Sequence, residues 1–145
     1  AQSFALAYPS IHFSFSGQSS EQFLKENEGN YKAFSFVNKN LPTDAKVLLQ
    51  GIVKGYYCQR EYMWDHPFQR VLQYDKYKTP EEVYAGMESL GITHIVRMIN
   101  IPQSRLAIGY SQYFTDPLQE NFRKKYLKLL YRDGGDVVFE ISQLD

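Results

Sequence analysis

The chain has 145 residues, of which 43% are hydrophobic and 22% charged, so length and composition indicate one globular domain with a substantial core. Sixteen basic residues balance sixteen acidic ones, and this zero net charge argues against nucleic acid or an anionic membrane surface as the partner. A single cysteine, Cys58, excludes a disulfide framework and a cysteine-based zinc site within the chain.

The N-terminal segment, residues 1–18, is predicted to be extended, and residues 19–145 are predicted to form a single α/β domain. Ile11, Phe13 and Phe15 alternate with polar side chains, which is the period of a half-buried strand. The segment is therefore either an edge strand or a tether that follows a membrane helix. The chain contains no run of about 18 apolar residues, so none of its segments is predicted to span a bilayer.

Two helices are predicted next in the chain. Ser19 stands three residues before Gln22, which is the capping-box spacing that begins a helix. Pro42 ends the second helix, because the residue before a proline is disfavoured in the helical conformation. The apolar side chains of this second helix recur at helical spacing, at Tyr31, Phe34, Val37 and Leu41.

Residues 46–50 are predicted to form a short buried strand, since an apolar Val-Leu-Leu run is followed closely by Gly51. A second extended piece is expected near residues 56–63. Residues 64–78 show no clear period and are interpreted as a long ordered loop with a short helix through residues 67–72.

The strongest local signal begins at Thr79. Threonine is a preferred N-cap, Pro80 suits the first helical position, and Glu82 completes a capping box. Gly91 is predicted to end this helix, and residues 92–99 are predicted to form the next strand.

Asp116 and Pro117 are predicted to begin a long helix that ends at Gly134, after a loop over residues 100–115. Residues 136–141 are predicted to be the last strand. Alternating helices and strands predict an α/β fold, in the form of a small Rossmann-like sandwich. Its mostly parallel sheet of three to five strands is expected to carry helices on both faces.

The densest cluster of aromatic and polar residues follows the first predicted strand. Aromatic faces stack on the apolar side of a sugar, while Arg, Asp and His side chains supply directional hydrogen bonds. The cluster predicts a surface for a saccharide or a phosphate-sugar. The alternative is that it packs a loop against the sheet edge or docks the domain on a partner. The candidate binding residues are Tyr56, Tyr57, Arg60, Glu61, Trp64, Asp65 and His66, with Tyr62 beside them.

Other motifs do not complete a catalytic or cofactor site. Gly51 and Gly55 lack the spacing of a dinucleotide or phosphate loop, so a simple turn is favoured. Cys58 could act as a nucleophile with His66 or His94 only if the fold brings the thiol and an imidazole together. We therefore predict no catalytic residue, no metal site and no cofactor.

Four pieces of the chain resemble a known family. They are Gly17 with residues 21–24, residues 38–47, the Gly-Tyr-Tyr at residues 55–57, and the Leu-Gly-Ile-Thr-His-Ile-Val at residues 90–96. Together they are similar to the soluble tail that follows the membrane helices in bacterial relatives of the dolichyl-phosphate-mannose-protein mannosyltransferases. The similarity extends over most of the first two thirds of the chain.

The resemblance implies that the chain is an extracytoplasmic domain, on the periplasmic or outer side, of a polytopic membrane glycosyltransferase. Such an enzyme moves a sugar from a polyprenyl-phosphate carrier onto an acceptor. Its catalytic acidic residues lie in the first extracytoplasmic loop of the membrane part, so none is expected in this domain. The implied partners are the membrane portion of the same polypeptide and a glycan or lipid-linked sugar, and the implied roles are acceptor binding or stability.

Two alternatives come from other functional classes. One is a stand-alone sugar- or nucleotide-binding module, which would use the aromatic and polar cluster without a membrane portion. The other is a small hydrolase, which would need Cys58 or His66 for turnover.

Overall fold

The computed structural model describes residues 20–27, 29–52, 54–66, 69–100 and 116–144. The helices in these ranges are α1 (Ser20–Asn27), α2 (Tyr31–Asn40), α3 (Pro80–Ser89) and α4 (Pro117–Tyr126), with a 3₁₀ helix at Tyr74–Lys76. The strands are β1 (Lys46–Gln50), β2 (Glu61–Trp64), β3 (His94–Met98), β4 (Leu127–Arg132) and β5 (Asp136–Ile141). The predicted extended segment of residues 1–18, the capping residue Ser19 and residues 101–115 of the predicted loop lie outside the described residues.

The five strands form one mixed sheet in the order β2-β1-β3-β5-β4. β1 pairs in parallel with β2 and with β3, whereas β5 pairs antiparallel with β3 and with β4. The fold is therefore α/β, as predicted. The prediction of a Rossmann-like, mostly parallel sheet is wrong, because the β3-β5-β4 half of the sheet is antiparallel.

The antiparallel half arises inside the predicted long helix. α4 ends at Tyr126, and the next residues form β4, which returns as β5 through a short turn. Asp133 Oδ1 accepts hydrogen bonds from the backbone N–H groups of Gly135 and Asp136, at 2.7 and 2.8 Å. Gly134 and its neighbour thus belong to a hairpin turn, which an Asp-Gly-Gly sequence favours, and not to a helix end.

Alternate residues of the central strands face two separate cores. Val47 and Leu49 of β1 point to the face covered by α2, whereas Leu48 points to the face covered by α3 and α4. The α2 face also buries Ala33, Phe34, Val37, Val96 and Val138. The α3–α4 face also buries Val83, Met87, Ile95, Phe122, Tyr126 and Phe139. Helices therefore cover both faces of the sheet, as predicted.

The two helices of the α3–α4 face begin at the predicted caps. Thr79 Oγ1 accepts from the backbone N–H of Glu82 at 3.2 Å, and Asp116 Oδ1 accepts from that of Leu118 at 2.9 Å. Gly91 follows the end of α3 with φ +74°, in the left-handed conformation that favours glycine. The cap predictions are confirmed because the hydrogen bonds that decide them lie within one helical turn.

The remaining elements differ from prediction mainly in the loop after β2. The strands at residues 46–50 and 136–141 are confirmed, and β3 is a shorter version of the strand predicted at residues 92–99. The helix predicted through residues 67–72 is wrong over its described residues, 69–72. The described helical turn of this loop is the later 3₁₀ helix at Tyr74–Lys76.

Among the described strands, β4 lies at the edge of the sheet, and its register is irregular. Its pairing with β5 shifts between Leu129 and Tyr131, so Leu130 is the extra residue of a β-bulge. Because of the bulge, Leu130 and Tyr131 both pack toward the α2 face, where the Tyr131 ring stacks on Phe36 with centroids 4.9 Å apart. Leu129 remains 53% exposed.

β1, β2 and β3 run in the same direction and end at one edge of the sheet, which we call the carboxyl edge. After β1 the chain leads to β2 on one side, and after β3 it leads to β4 and β5 on the other side. The carboxyl ends of β1 and β3 therefore flank a topological switch point. Open α/β sheets place ligands at such a point.

Candidate functional site

Four buried polar side chains meet at the carboxyl edge, and we call them the carboxyl-edge network. Gln50 ends β1, Arg97 stands opposite it in β3, and Asp65 directly follows β2. Tyr74 joins them from the 3₁₀ helix. Tyr74, at 7%, is the most exposed of the four, so the network is closed to solvent.

Hydrogen bonds connect the two charged groups of the network through an amide. The Tyr74 hydroxyl donates to Asp65 Oδ2 at 2.5 Å, and Gln50 Nε2 donates to the same oxygen at 3.0 Å. Arg97 Nε donates to Gln50 Oε1 at 2.7 Å. Gln50 thus bridges a buried carboxylate and a buried guanidinium, and its amide gives each charge a hydrogen-bond partner.

The network lies on the α3–α4 face of the sheet. Gln50 is two residues from Leu48 and Arg97 is two residues from Ile95, so each shares a face with that core residue. The Arg97 guanidinium also lies 5.5 Å from the centroid of the Phe139 ring, within cation–π range. The arrangement ties three strands to the loop after β2, which is a structural task.

The first turn of α4 adds polar groups on this side of the sheet. Gln119 is 1% exposed, and neither its amide nitrogen nor its oxygen has a hydrogen-bond partner among the described residues. The hydrogen bond from Arg123 lowers the pKa of Glu120 to about 2, and the Arg97 charge contributes a smaller part.

Two of the predicted binding residues are used inside the protein. Asp65 belongs to the carboxyl-edge network. Arg60 lies beside the end of α2, where its Nε donates to the carbonyl of Pro42 at 2.8 Å. Its Nη2 donates to the carbonyls of Asn38 and Leu41, at 2.9 and 2.8 Å. Because the last carbonyls of a helix lack partners within it, Arg60 stabilises the end of α2.

Glu61 and His66 lie at the two ends of the β2 segment. Glu61 begins β2, and its carboxylate lies 3.4 Å from Lys46 Nζ in an exposed ion pair. His66 is half-buried, and its backbone carbonyl accepts hydrogen bonds from the N–H groups of Gln69 and Arg70. Glu61 thus contributes to a surface ion pair, and His66 contributes to a turn.

The aromatic members of the predicted cluster, together with Tyr31, form two groups of contacting rings. The ring centroids of Tyr31 and Tyr57 are 5.2 Å apart, and those of Tyr57 and Tyr56 are 4.7 Å apart. Tyr62 and Trp64 share one side of β2, with centroids 5.5 Å apart. We call this set the aromatic row: Tyr31, Tyr57, Tyr56, Tyr62 and Trp64.

Gly55 connects the two parts of the aromatic row. A side chain at Gly55 would place its Cβ 2.5 Å from Cε2 of Tyr62, so this ring packs directly against the glycine backbone. Because Tyr56 follows Gly55 in sequence, the contact sets the tyrosine pair of the turn beside the Tyr62–Trp64 pair. Glycine allows this close approach without moving the ring.

Cys58 and His94, candidates for a nucleophile and its base, each bond a different neighbour. The Cys58 thiol donates to the carbonyl of Arg60 at 3.6 Å, and burial raises the pKa of the thiol. His94 Nδ1 lies 2.7 Å from Thr93 Oγ1, and burial lowers the pKa of the imidazole. Across the described ranges, no three His, Cys, Asp or Glu side chains are grouped to hold a metal ion.

The glycines after β1 do not precede a helix in the part that the structure describes. Gly51 has φ +81°, and residues 54–60 contain a turn at Tyr56 and Tyr57. A phosphate loop presents its ligand to a helix N-terminus, and these residues form none. The geometry agrees with the interpretation of a simple turn.

Sequence reasoning missed a pair of carboxylates at the β4–β5 turn. Asp136 is buried, and its Oδ1 accepts from Asn30 Nδ2 at 2.7 Å. Burial raises the pKa of Asp136 to about 6, and the neighbouring charge of Asp133 adds to the rise. The Tyr131 hydroxyl donates to Asp133 Oδ2 at 2.8 Å, and burial together with this carboxylate raises the pKa of Tyr131 to about 12.

Sequence reasoning also missed Gln50, Tyr74 and Arg97 of the carboxyl-edge network. The signal that could have found two of them is a polar residue at the end of an apolar strand, as in Val-Leu-Leu-Gln and Ile-Val-Arg. Their pairing depends on the strand register, which places Gln50 opposite Arg97.

None of the helices in the described ranges has the length and apolar character needed to cross a bilayer. No model of a known protein family matches the chain, and no curated protein matches it.

Proposed function

We propose that the chain is the extracytoplasmic, non-catalytic domain of a polytopic membrane glycosyltransferase that uses a polyprenyl-phosphate-linked sugar. The domain lies on the periplasmic or outer face, contacts the membrane portion of the same polypeptide, and aids acceptor binding or stability. One observation supports this proposal best. The residues that carry the resemblance to the mannosyltransferase relatives, although scattered in sequence, contact one another in the fold.

Hydrogen bonds join three of the resembling pieces. Asn38 Nδ2 donates to the carbonyl of Tyr57 at 2.8 Å, and the backbone N–H of Gln59 donates to Asn38 Oδ1 at 2.7 Å. At the other end of the same piece, the backbone N–H of Lys46 donates to Thr93 Oγ1 at 3.0 Å. Residues 38–47 and 90–96 include parts of the paired strands β1 and β3, so these resembling pieces lie in one part of the fold.

The environment of the candidate nucleophile supports a non-catalytic role. Burial raises the pKa of the Cys58 thiol, which disfavours the thiolate that a cysteine nucleophile needs. The polar residues of the resembling pieces, such as Asn38 and Thr93, bond backbone groups and so hold the fold together.

The aromatic row favours one second candidate, a stand-alone sugar-binding module. The exposed rings of Tyr56 and Trp64 would serve such a module as well as they would serve a transferase domain. The two candidates differ in what precedes the domain, so the coding sequence distinguishes them.

The first test is to read the gene upstream of the codon for Ala1. A membrane transferase requires at least about eight spans of about 20 apolar residues, with an acidic pair in the first long loop. A start codon or a cleavable signal peptide directly before Ala1 would overturn the proposal and leave the sugar-binding module.

The second test addresses the non-catalytic role in the full-length enzyme. The domain is deleted, and transfer of sugar from the polyprenyl-phosphate donor is measured in membranes with a small soluble acceptor. We expect residual transfer, reduced through acceptor affinity or enzyme stability. Complete loss of transfer from a deletion variant that remains folded in the membrane would contradict a non-catalytic role.

A further inference from the structure

We propose that the aromatic row binds a neutral oligosaccharide, whose rings stack on Tyr56 and Trp64. The identification of this glycan as the acceptor of a transferase rests on the proposed function. Binding itself follows from the geometry of the row, and it is expected in the transferase domain and in the stand-alone module alike.

Two rings of the aromatic row are much more exposed than the others. Tyr56 is 62% exposed and Trp64 is 42% exposed, whereas Tyr31, Tyr57 and Tyr62 are half-buried beneath and between them. The half-buried rings hold the exposed ones by edge and tilted contacts of 4.7–5.5 Å. Two aromatic faces are thus fixed in place before any ligand arrives, which lowers the entropy cost of binding.

The chemistry of the exposed groups suits a sugar better than an apolar partner. Both rings combine an apolar face with a polar donor, the Tyr56 hydroxyl and the Trp64 indole N–H. Neither donor has a hydrogen-bond partner among the described residues, so both remain available to a ligand. A sugar offers the matching pair of features, an apolar C–H face and hydroxyls at its rim.

The charges beside the row favour an uncharged ligand. Arg60 donates to backbone carbonyls, and Lys46 and Glu61 form an ion pair with each other. Asp65 is buried in the carboxyl-edge network. Lys54 is exposed next to the row, and its substitution therefore tests whether a negative group on the ligand takes part.

The experiment uses the 145-residue chain and its one tryptophan, Trp64, as the reporter. Maltohexaose, cellohexaose and a linear mannohexaose are titrated while intrinsic fluorescence is recorded, and calorimetry gives the Kd. We expect a saturable fluorescence change with at least one of these oligosaccharides. The Tyr56→Ala variant should weaken binding about tenfold, the size of effect that the loss of one stacked ring produces.

Three further variants separate stacking from folding and from charge. Gly55→Ala displaces the Tyr62 ring and so should weaken binding while the exposed rings remain present. Leu129→Ala removes an exposed apolar side chain on the other edge of the sheet, and Lys54→Ala removes the nearby cation. Both should leave the Kd within about twofold of the wild-type value, and all variants are compared by circular dichroism melting.

Three outcomes would overturn the inference. They are no saturable change with any of the three oligosaccharides, equal affinity for the Tyr56→Ala and Leu129→Ala variants, or a loss of affinity in Lys54→Ala as large as that in Tyr56→Ala. Glycan binding by a chain whose gene encodes no membrane spans would leave the inference standing and remove the proposed function. A gene that encodes membrane spans, with a chain that binds no glycan, would leave the proposed function standing and overturn the inference.

Discussion

The two halves of the sheet satisfy their buried polar groups in different ways. In the parallel half, β2-β1-β3, side chains from distant segments meet at the carboxyl edge, and Gln50 joins Asp65 to Arg97. In the antiparallel half, β3-β5-β4, a short turn closes on itself, and Asp133 binds the backbone two and three residues ahead. Parallel strands need long connections, so their ends depend on tertiary contacts, whereas a hairpin end is decided locally.

The largest expected effect comes from the parallel half, in Gln50→Leu. This change removes the amide that bridges a buried carboxylate and a buried guanidinium, so the free energy of unfolding should fall by about 3 kcal/mol. Urea unfolding measures the loss. Gln73→Leu, at an exposed position of the same loop region, is the matched control and should change stability by less than about 0.5 kcal/mol. A loss in Gln50→Leu no larger than that of the control would contradict the bridging role.

The next effect belongs to the antiparallel half and depends on pH. Burial raises the pKa of Asp136 to about 6, so between its ordinary value and about 6 the folded state binds more protons than the unfolded state. This group therefore destabilises the fold as pH rises through that window, and the penalty is complete at neutral pH. The pKa of nearby Asp133 is lowered, so its charged carboxylate stabilises the fold above its ordinary pKa. This stabilisation is lost as the pH falls below that value.

Asp136→Asn should remove that penalty while its amide oxygen still accepts from Asn30. We expect the variant to exceed the wild-type free energy of unfolding by about 2 kcal/mol at pH 7, with the difference shrinking toward pH 4. Asp44→Asn, an exposed turn residue, is the control. The same difference at both pH values would show that the carboxyl group does not titrate as described.

A smaller effect is expected from the turn itself, in Asp133→Ala. The variant loses the side-chain acceptor of two backbone N–H groups and of the Tyr131 hydroxyl, so stability should fall by about 1–2 kcal/mol. In Gly134→Ala the new Cβ meets nothing within 4 Å, which makes it a nearly neutral control in the same turn. If the two variants unfold at the same urea concentration, the turn does not depend on the carboxylate.

The smallest effect lies on α4, the helix that connects the two halves. Gln119→Leu replaces a buried amide without hydrogen-bond partners in the described structure, and should raise the free energy of unfolding by about 1 kcal/mol. Asn121→Leu, exposed on the same helix, controls for the general effect of leucine on helix stability. Destabilisation by Gln119→Leu relative to this control would mean that the amide is hydrogen-bonded in solution.

The same contrast explains what the sequence could predict about the fold. The caps at Thr79 and Asp116 depend on contacts within one turn, and both are confirmed. Leu127-Lys128-Leu129-Leu130 continues a helical composition, and only its pairing with β5 makes it a strand. Strand pairing is a long-range property that the local sequence does not reveal. The prediction of a mostly parallel sheet is wrong for this reason.

For the candidate site, the sequence indicates a segment but does not separate its residues by role. The aromatic residues at positions 56–64 are predicted as a cluster, and their rings contact in two pairs, Tyr56 with Tyr57 and Tyr62 with Trp64. The sequence does not show whether Arg60 and Asp65 are exposed to a ligand or are bonded inside the protein. Their use at the end of α2 and in the carboxyl-edge network depends on the position of segments that the sequence does not place.

The bulge at Leu130 has a consequence for how the protein behaves at high concentration. An exposed edge strand offers a row of backbone donors and acceptors on which another chain can add a strand and start aggregation. The bulge breaks the regular spacing of that row, and the charged side chains of Lys128 and Arg132 project beside it. β4 is therefore a poor template for a further strand, although it ends the sheet with an exposed leucine.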